Sequence, residues 1–307
     1  MSIDLERDRV ARATLAYLIT LLPDRAEELH ALVTFFGPVE ALDLLTLPDF
    51  PRQDRERYLG DMTIEQLHAH SRAVGEATRQ AGARVLTPED DDWPERLDDL
   101  SRVAYAAAPS STLCLWALGN PGRIPARTVA ICGSTAATPY GAAIASDLGQ
   151  GMATAGWTVG TTSSFGIPAA VMRGTLAVGG RAVVVLPGGI DRPHPASLQG
   201  RLSQVTRDGL LVTAYPPGTE PSRERAVAAG RLLAGMTSGT VLVEAGLRSS
   251  SIAVIEEAIR RGRRAMIVPG PVTSALSAGT HQALRDHPQA RLVRDSADIL
   301  AELPQLR

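Results

Sequence analysis

Hydrophobic positions along this chain change their spacing twice. Over residues 8–80 they recur at three- and four-residue intervals, in RVARATLAYLITLL, AEELHALVTFFG and MTIEQLHAHSRAVGEATRQAG, the period of a helix with one buried face. Pro23, Gly37-Pro38, Pro48 and Gly60-Asp61 interrupt that period, so the region reads as short helices joined by tight turns. Two strand-like runs follow, Ala83–Thr87 and Ser111–Gly119, with the acidic segment PEDDDWPERLDDL between them. From Thr128 onward, near-continuous apolar runs (TVAIC, WTVGT, RAVVVLP, LLVTAYP, TVLVEAG, AMIVPG, ARLV) alternate with helix-like segments. Strands that are apolar on both faces belong to a parallel sheet covered by helices on both sides. The expected fold class is therefore α/β, a doubly wound parallel sheet preceded by a small all-helical domain. The boundary is expected between residues 81 and 82.

Composition supports a folded chain with room for two domains: 307 residues, 44% hydrophobic and 21% charged. No apolar run reaches the roughly 18 residues a membrane helix needs. The start MSIDLERDRV is too charged for a signal peptide, so a cytoplasmic protein without a membrane partner is expected. Cys114 and Cys132 lie inside apolar runs and read as reduced, buried thiols. Charge is unevenly divided. Residues 1–125 carry 13 arginines against 21 acids, a balance of −8, and residues 126–307 carry 18 against 12, a balance of +6. A basic second half suits an anionic ligand, nucleic acid included. All 31 basic residues are arginine. The chain thus has no phosphate-binding lysine and no amine for a Schiff base, which leaves arginine forks, backbone amides and hydroxyls to hold phosphate.

Ligands of open α/β sheets bind at the C-terminal ends of the strands. The turns expected there are rich in small residues: Gly133-Ser134-Thr135, Thr161 to Gly166, Pro187-Gly188-Gly189, Tyr215 to Gly218, Glu244-Ala245-Gly246 and Pro269-Gly270-Pro271. Backbone amides in such turns can approach a phosphate closely, and helix N-termini add favourable partial charge. The first turn, GSTAAT, lacks the G-x-G-x-x-G of a dinucleotide site, so no such cofactor is expected. There is no G-x-S-x-G elbow. His68, His70, His194, His281 and His287 show no metal-ligand spacing, and Asp90-Asp91-Asp92 reads as a solvated turn, so no metal is expected. Glu244 ends an apolar run and is either a general base or a group holding a neighbouring helix N-terminus or arginine. Arg173, Arg181, Arg192, Arg231 and Arg248 are expected in or beside the strand-end loops. The run IRRGRR, Ile259–Arg264, reads as a solvated face at the opposite sheet edge.

The motifs G-S-x-x-x-T-P-Y-G (Gly133–Gly141), V-L-P-G-G-I-D-R-x-x-P (Val185–Pro195), Y-P-P-G-T-x-P (Tyr215–Pro221), R-L-L-A-G-M-T (Arg231–Thr237), V-x-V-E-A-G (Val241–Gly246) and V-P-G-P-V-T-S (Val268–Ser274) keep their order and spacing. In them the chain resembles the DprA (Smf) family of bacterial DNA-processing proteins of natural transformation, from about residue 10 to its end. The resemblance implies a helical domain over 1–81 and an extended Rossmann-like domain over 82–307, here without the C-terminal winged helix of many members. It also implies a homodimer without catalytic activity, which binds single-stranded DNA in a basic pocket and loads the RecA recombinase.

Departures cluster at the ligand-facing turns. Thr135 stands where the family has arginine after Gly-Ser, and Thr161 to Pro168 replaces Ser-Gly-Leu-Ala-Arg-Gly-Ile-Asp. Ala229-Gly230-Arg231 replaces Arg-Asn-Arg, Ser249 to Val254 replaces Ser-Gly-Ser-Leu-Ile-Thr, Met172 replaces a histidine and His281 an asparagine. Three arginines are lost from one face, so weaker phosphate binding or a changed ligand is expected. The expected binding residues are Gly133, Ser134, Thr135, Phe165, Gly166, Gly188, Gly189, Arg231, Ser249, Ser250 and Ser251, with stacking limited to Phe165, Tyr140 or Tyr215. The alternatives are a nucleotide-binding sensor on the same loops and a paralogue kept for protein contacts. A nucleotide-cleaving site like the phosphoribohydrolases' P-G-G-x-G-T-x-x-E is not assembled, because Pro187-Gly188-Gly189 and Gly239-Thr240 are far apart.

Overall fold

The structure, a computed structural model, describes residues 3–94, 96–97, 113–120 and 127–304. Residues 3–80 form α1 (Ile3–Leu21), α2 (Ala26–Phe36), α3 (Pro38–Thr46), α4 (Arg52–Leu59) and α5 (Ile64–Gln80). Gly37, at φ +85°, ends α2, and Pro38 starts α3 at once, because proline fits a helix's first position and not its interior. Thr63 and Gln66 cap α5 reciprocally. The apolar stripes meet through Leu15, Leu18, Leu29, Leu45, Leu59 and Leu67, all buried.

Strands and helices then alternate: β1 (Arg84–Leu86), β2 (Leu115–Gly119), β3 (Thr128–Cys132), α6 (Pro139–Thr154), β4 (Thr158–Thr162), α7 (Ile167–Ala177), β5 (Ala182–Val185), α8 (Gln199–Asp208), β6 (Leu210–Thr213), α9 (Arg223–Met236), β7 (Gly239–Leu242), α10 (Ile252–Arg260), β8 (Arg264–Ile267), α11 (Ala278–Asp286), β9 (Arg291–Leu292) and α12 (Ser296–Glu302). They form one sheet in the order β1-β2-β6-β5-β4-β3-β7-β8-β9. From β6 to β9 every pairing is parallel, as the apolar runs predict. The sheet is nevertheless mixed, since β1–β2 and β2–β6 are antiparallel. These two strands precede the strand–helix–strand series, so no crossover helix dictates their direction. The expected ARLV strand shrinks to two exposed residues at the sheet edge. The Ser111–Gly119 run begins its strand at Leu115, and residues 111–112 lie outside the described residues.

Successive residues of β3 feed opposite faces. Val129 and Ile131 pack with α6, α7 and α12, while Ala130 packs with α9 and Cys132 with α10. Both cysteines are buried, and burial pushes the Cys132 thiol up to about 12. Helices α6 and α7 approach at backbone distance: a Cβ on Gly174 would lie 1.9 Å from the Ser146 carbonyl, and one on Gly149 2.7 Å from that of Val171. Among the described residues no single helix is long and apolar enough to cross a membrane.

The N-terminal helices share a core with the sheet, in which Leu15, Leu18 and Leu29 belong to one cluster with Trp116, Val184 and Leu211. The Trp116 indole N–H donates to Thr78 Oγ1 of α5 at 3.0 Å. Here the acidic segment departs from expectation. Asp90 is no solvated turn residue, because it accepts from the Thr87 amide at 2.8 Å and pairs with Arg9 of α1. Asp92 pairs with Arg84 at 2.7 Å, and Arg12 reaches Asp8, Glu89 and the Leu113 carbonyl. Nothing in a single sequence could bring Arg9 to Asp90 or Arg12 to Glu89, some 80 positions away.

Two outcomes follow. Gly174→Ala forces α6 from α7 and should cost about 1–3 kcal/mol in denaturant unfolding; unchanged stability would refute the close approach. Burial pushes the Asp90 carboxyl up, but Arg9 and Thr87 more than offset it, leaving its pKa below the ordinary 3.8. Its contribution is therefore present above that value and lost as pH falls through the folded value. The stability gap between wild type and Asp90→Asn should stay constant from pH 7 to 5 and close below pH 4, as read by unfolding at each pH.

Candidate functional site

Strand order reverses between β3 and β7: the chain moves from β3 outward to β4, β5 and β6, then returns to β7 and continues to β8 on the other side. A crevice opens at such a reversal, beyond the strand C-termini. Its walls are the turns 133–138 after β3 and 243–251 after β7, flanked by 163–166 after β4 and 268–277 after β8.

Glu244 fixes the geometry. Its carboxylate is 1% exposed and accepts from the Thr138 amide at 2.9 Å and the Thr138 hydroxyl at 2.5 Å. Thr138 is the N-cap of α6, and its Oγ1 accepts from the Gly141 amide at 3.0 Å. A Cβ on Gly141 would lie 2.1 Å from Glu244 Oε2. The carboxylate thus occupies the positive end of α6, where an anion would otherwise bind. Of the two roles open to Glu244 from the sequence, the structure realises the hold on a helix N-terminus.

Other turn amides are also committed. Ser134 N–H donates to the Glu244 carbonyl at 2.7 Å, Ala136 N–H to Ser134 Oγ, and Ile167 N–H to the Ser134 carbonyl. Gly133 is buried, and a Cβ there would lie 2.8 Å from the Ile167 side chain. Gly166, at φ +68°, lies so close to the first turn that a Cβ would be 2.4 Å from the Ser134 carbonyl. Gly188 and Gly189 are buried beneath residues 216–221, with Gly189 N–H donating to the Thr219 carbonyl at 2.8 Å and the Gly188 carbonyl accepting from Thr213 Oγ1. The six expected turns are therefore not six open cradles. Glycine lets these turns pack on one another, and the same closeness consumes their amides.

The side chains that face outward are different. Thr135, Phe165, Arg248 and Ser250 are exposed, and Ser249 and Ser251 half-buried. Arg248 makes no ion pair among the described residues. Arg231 is exposed but is the ninth residue of α9, about 12 Å along the helix from its first residue. Arg192 is paired with Glu220. Arg173 lies within α7, and Arg181 immediately precedes β5, at the opposite sheet edge from the expected one. In IRRGRR the structure also departs from a wholly solvated face, since Arg260 and Arg261 pair with buried Glu257 and Arg263 donates to the Arg96 carbonyl. Tyr215 is buried with Arg225 stacked 5.4 Å above its ring, and burial raises its phenol to about 12. Leu247 and Val272 are exposed at the crevice turns, and sequence reasoning missed both, because aliphatic residues beside a strand read as its continuation. Among the described residues no three His, Cys, Asp or Glu converge as metal ligands.

The DNA recombination-mediator protein A family model matches residues 84–304. A Mycobacterium tuberculosis protein named as a DNA processing protein DprA is 38% identical over 95% of this chain and 75% of its own length. Among solved structures, DprA of Streptococcus pneumoniae superposes with a TM-score of 0.71 at 23% identity, covering 97% of both chains. A Helicobacter pylori DNA processing protein A gives 0.61 at 18% identity, covering 72% of this chain and 96% of its own.

If Glu244 is a clamp, Glu244→Ala leaves the Thr138 amide unsatisfied and should cost about 3 kcal/mol of unfolding free energy. A variant as stable as wild type would show that the carboxylate does not hold the helix.

Proposed function

The chain belongs to the DNA recombination-mediator protein A family and is a DprA-like DNA-processing protein, and on that premise we propose that it binds single-stranded DNA, without catalysis, at the crevice between β3 and β7. The observation that carries this reading is the contrast within the crevice. Among the described residues of these turns the one carboxylate is buried and spent on Thr138, while Thr135, Phe165, Arg248 and Ser250 are exposed. A site with exposed hydroxyls and a cation but no accessible acid–base pair is built to hold a ligand rather than transform it. The positive balance of residues 126–307 favours a polyanion. The Helicobacter pylori protein, described by its single-stranded DNA binding mode, supports the same ligand class.

Within this reading Thr135, Ser249, Ser250, Ser251 and Arg248 contact the strand, and Arg231 is a peripheral cation on α9. Gly133, Ser134, Gly166, Gly188 and Gly189 shape the turns rather than donate to phosphate. The protein acts in the cytoplasm as a homodimer and hands the strand to the RecA recombinase, as the family resemblance implies.

Anisotropy titration with a roughly 30-nucleotide single strand and the matching duplex tests the assignment, at low salt where counterion release most favours binding. The single strand should bind saturably and more tightly than the duplex. Arg248→Ala should weaken it about tenfold, more than Arg231→Ala does. No measurable binding of the single strand at low salt would overturn the proposal.

A further inference from the structure

Aromatic residues make up 4% of this chain. Between residues 127 and 304 they are Tyr140, Trp157, Phe165 and Tyr215, of which Trp157 and Tyr215 are buried. The two exposed ones both stand at the crevice, Phe165 at 52% and Tyr140 at 39%. Two exposed aliphatic residues join them, Leu247 at 64% and Val272 at 90%.

The backbone contacts bring together the turns that carry these side chains. Gly166, next to Phe165, abuts Ser134 and Thr135. The Tyr140 hydroxyl donates to the Pro269 carbonyl at 2.7 Å, which draws its ring from α6 toward the turn that carries Val272. Gly246, next to Leu247, faces the Ala275 carbonyl of that same turn across 3.6 Å from where a Cβ would be. Three turns and one helix start, in backbone contact with one another or with the 133–135 turn, thus carry exposed apolar side chains along the crevice edge.

What lies beneath the rim is unsuited to phosphate. The α6 N-terminus already holds the Glu244 carboxylate, and a second anion there meets like charge in a water-poor setting. The amides of Ser134, Ala136, Thr138 and Gly141 all have partners within the protein. Among the described residues at these turns, Arg248 is the exposed cation without an ion pair. Base faces, by contrast, find a stacking surface in Phe165 and Tyr140 and contact area in Leu247 and Val272.

We propose that the crevice engages the single strand through its bases, stacked on the rim of Phe165, Tyr140, Leu247 and Val272, with the phosphates turned outward and held at one or two points by arginine. The proposal rests on the single-strand reading above and specifies its mode. It makes Phe165 a binding residue of the first importance and reduces the backbone turns to a frame.

The two modes differ in what a strand without bases can do. Full-length protein is titrated with a thymidine oligonucleotide and with an abasic strand of equal length and charge, each at two or more salt concentrations. The thymidine strand should bind at least about tenfold more tightly than the abasic one. Its log–log salt slope should lie between about −0.7 and −1.4, the value for one or two phosphates on a single strand. Phe165→Ala should remove most of the preference for bases and leave the weak abasic affinity unchanged. As Phe165 is exposed, loss of fold is not expected, and circular dichroism checks it. In Phe165→Trp the new indole should be quenched by the thymidine strand and not by the abasic one, since the three native tryptophans are buried or lie outside the crevice. Equal affinity for both strands with a steep salt slope would overturn the base-facing mode while leaving single-strand binding intact. Failure of both strands to bind would overturn the ligand assignment itself.

Discussion

One carboxylate determines what the crevice can be. Glu244 is carried to the switch point by the end of β7, and the structure neutralises its burial by giving it the start of α6. A buried anion without such partners would be costly, and a helix start without an acceptor would leave donors unsatisfied. Each solves the other's problem. The solution fixes α6 against β7 and forbids any side chain at 141. It also closes the position that phosphate takes on many sheets of this kind, so that the ligand must be met by whatever lies outside this pair.

The rest of the edge follows from packing. Turns so rich in glycine come close enough to bond to each other, as Gly189 does to Thr219 and Ser134 to Glu244. A turn that is satisfied internally has little left for a ligand.

Much of the architecture was legible in the residues. Runs such as Thr128–Cys132 and Ala182–Val185, apolar at every position, could be stable only between two layers of helices, and both strands are buried throughout. The period of residues 8–80 likewise announced helices. Direction was harder: nothing in Arg84–Leu86 or Leu115–Gly119 says that they pair antiparallel, because strand polarity is settled by chain connection and not by composition. The candidate turns were legible in position more than in what their amides do. Gly133 and Gly188 mark turns at the right edge, but whether an amide faces solvent or a neighbouring carbonyl depends on another turn dozens of residues away. Arg181 and Arg173 show the same limit, since a shift of a few residues moves a cation from one end of the sheet to the other.

The rim and its frame are built from different positions, and that separation bears on how such a site changes over time. Gly166 is held at positive φ with a carbonyl against it, whereas Phe165 beside it is 52% exposed. Leu247 and Val272 are likewise exposed. Under the proposed base-facing mode, changes at these three tips would alter the ligand surface while leaving in place the glycine contacts that hold the turns together. On that reading the turn glycines are the constant chassis of the crevice and the three tips its adjustable part.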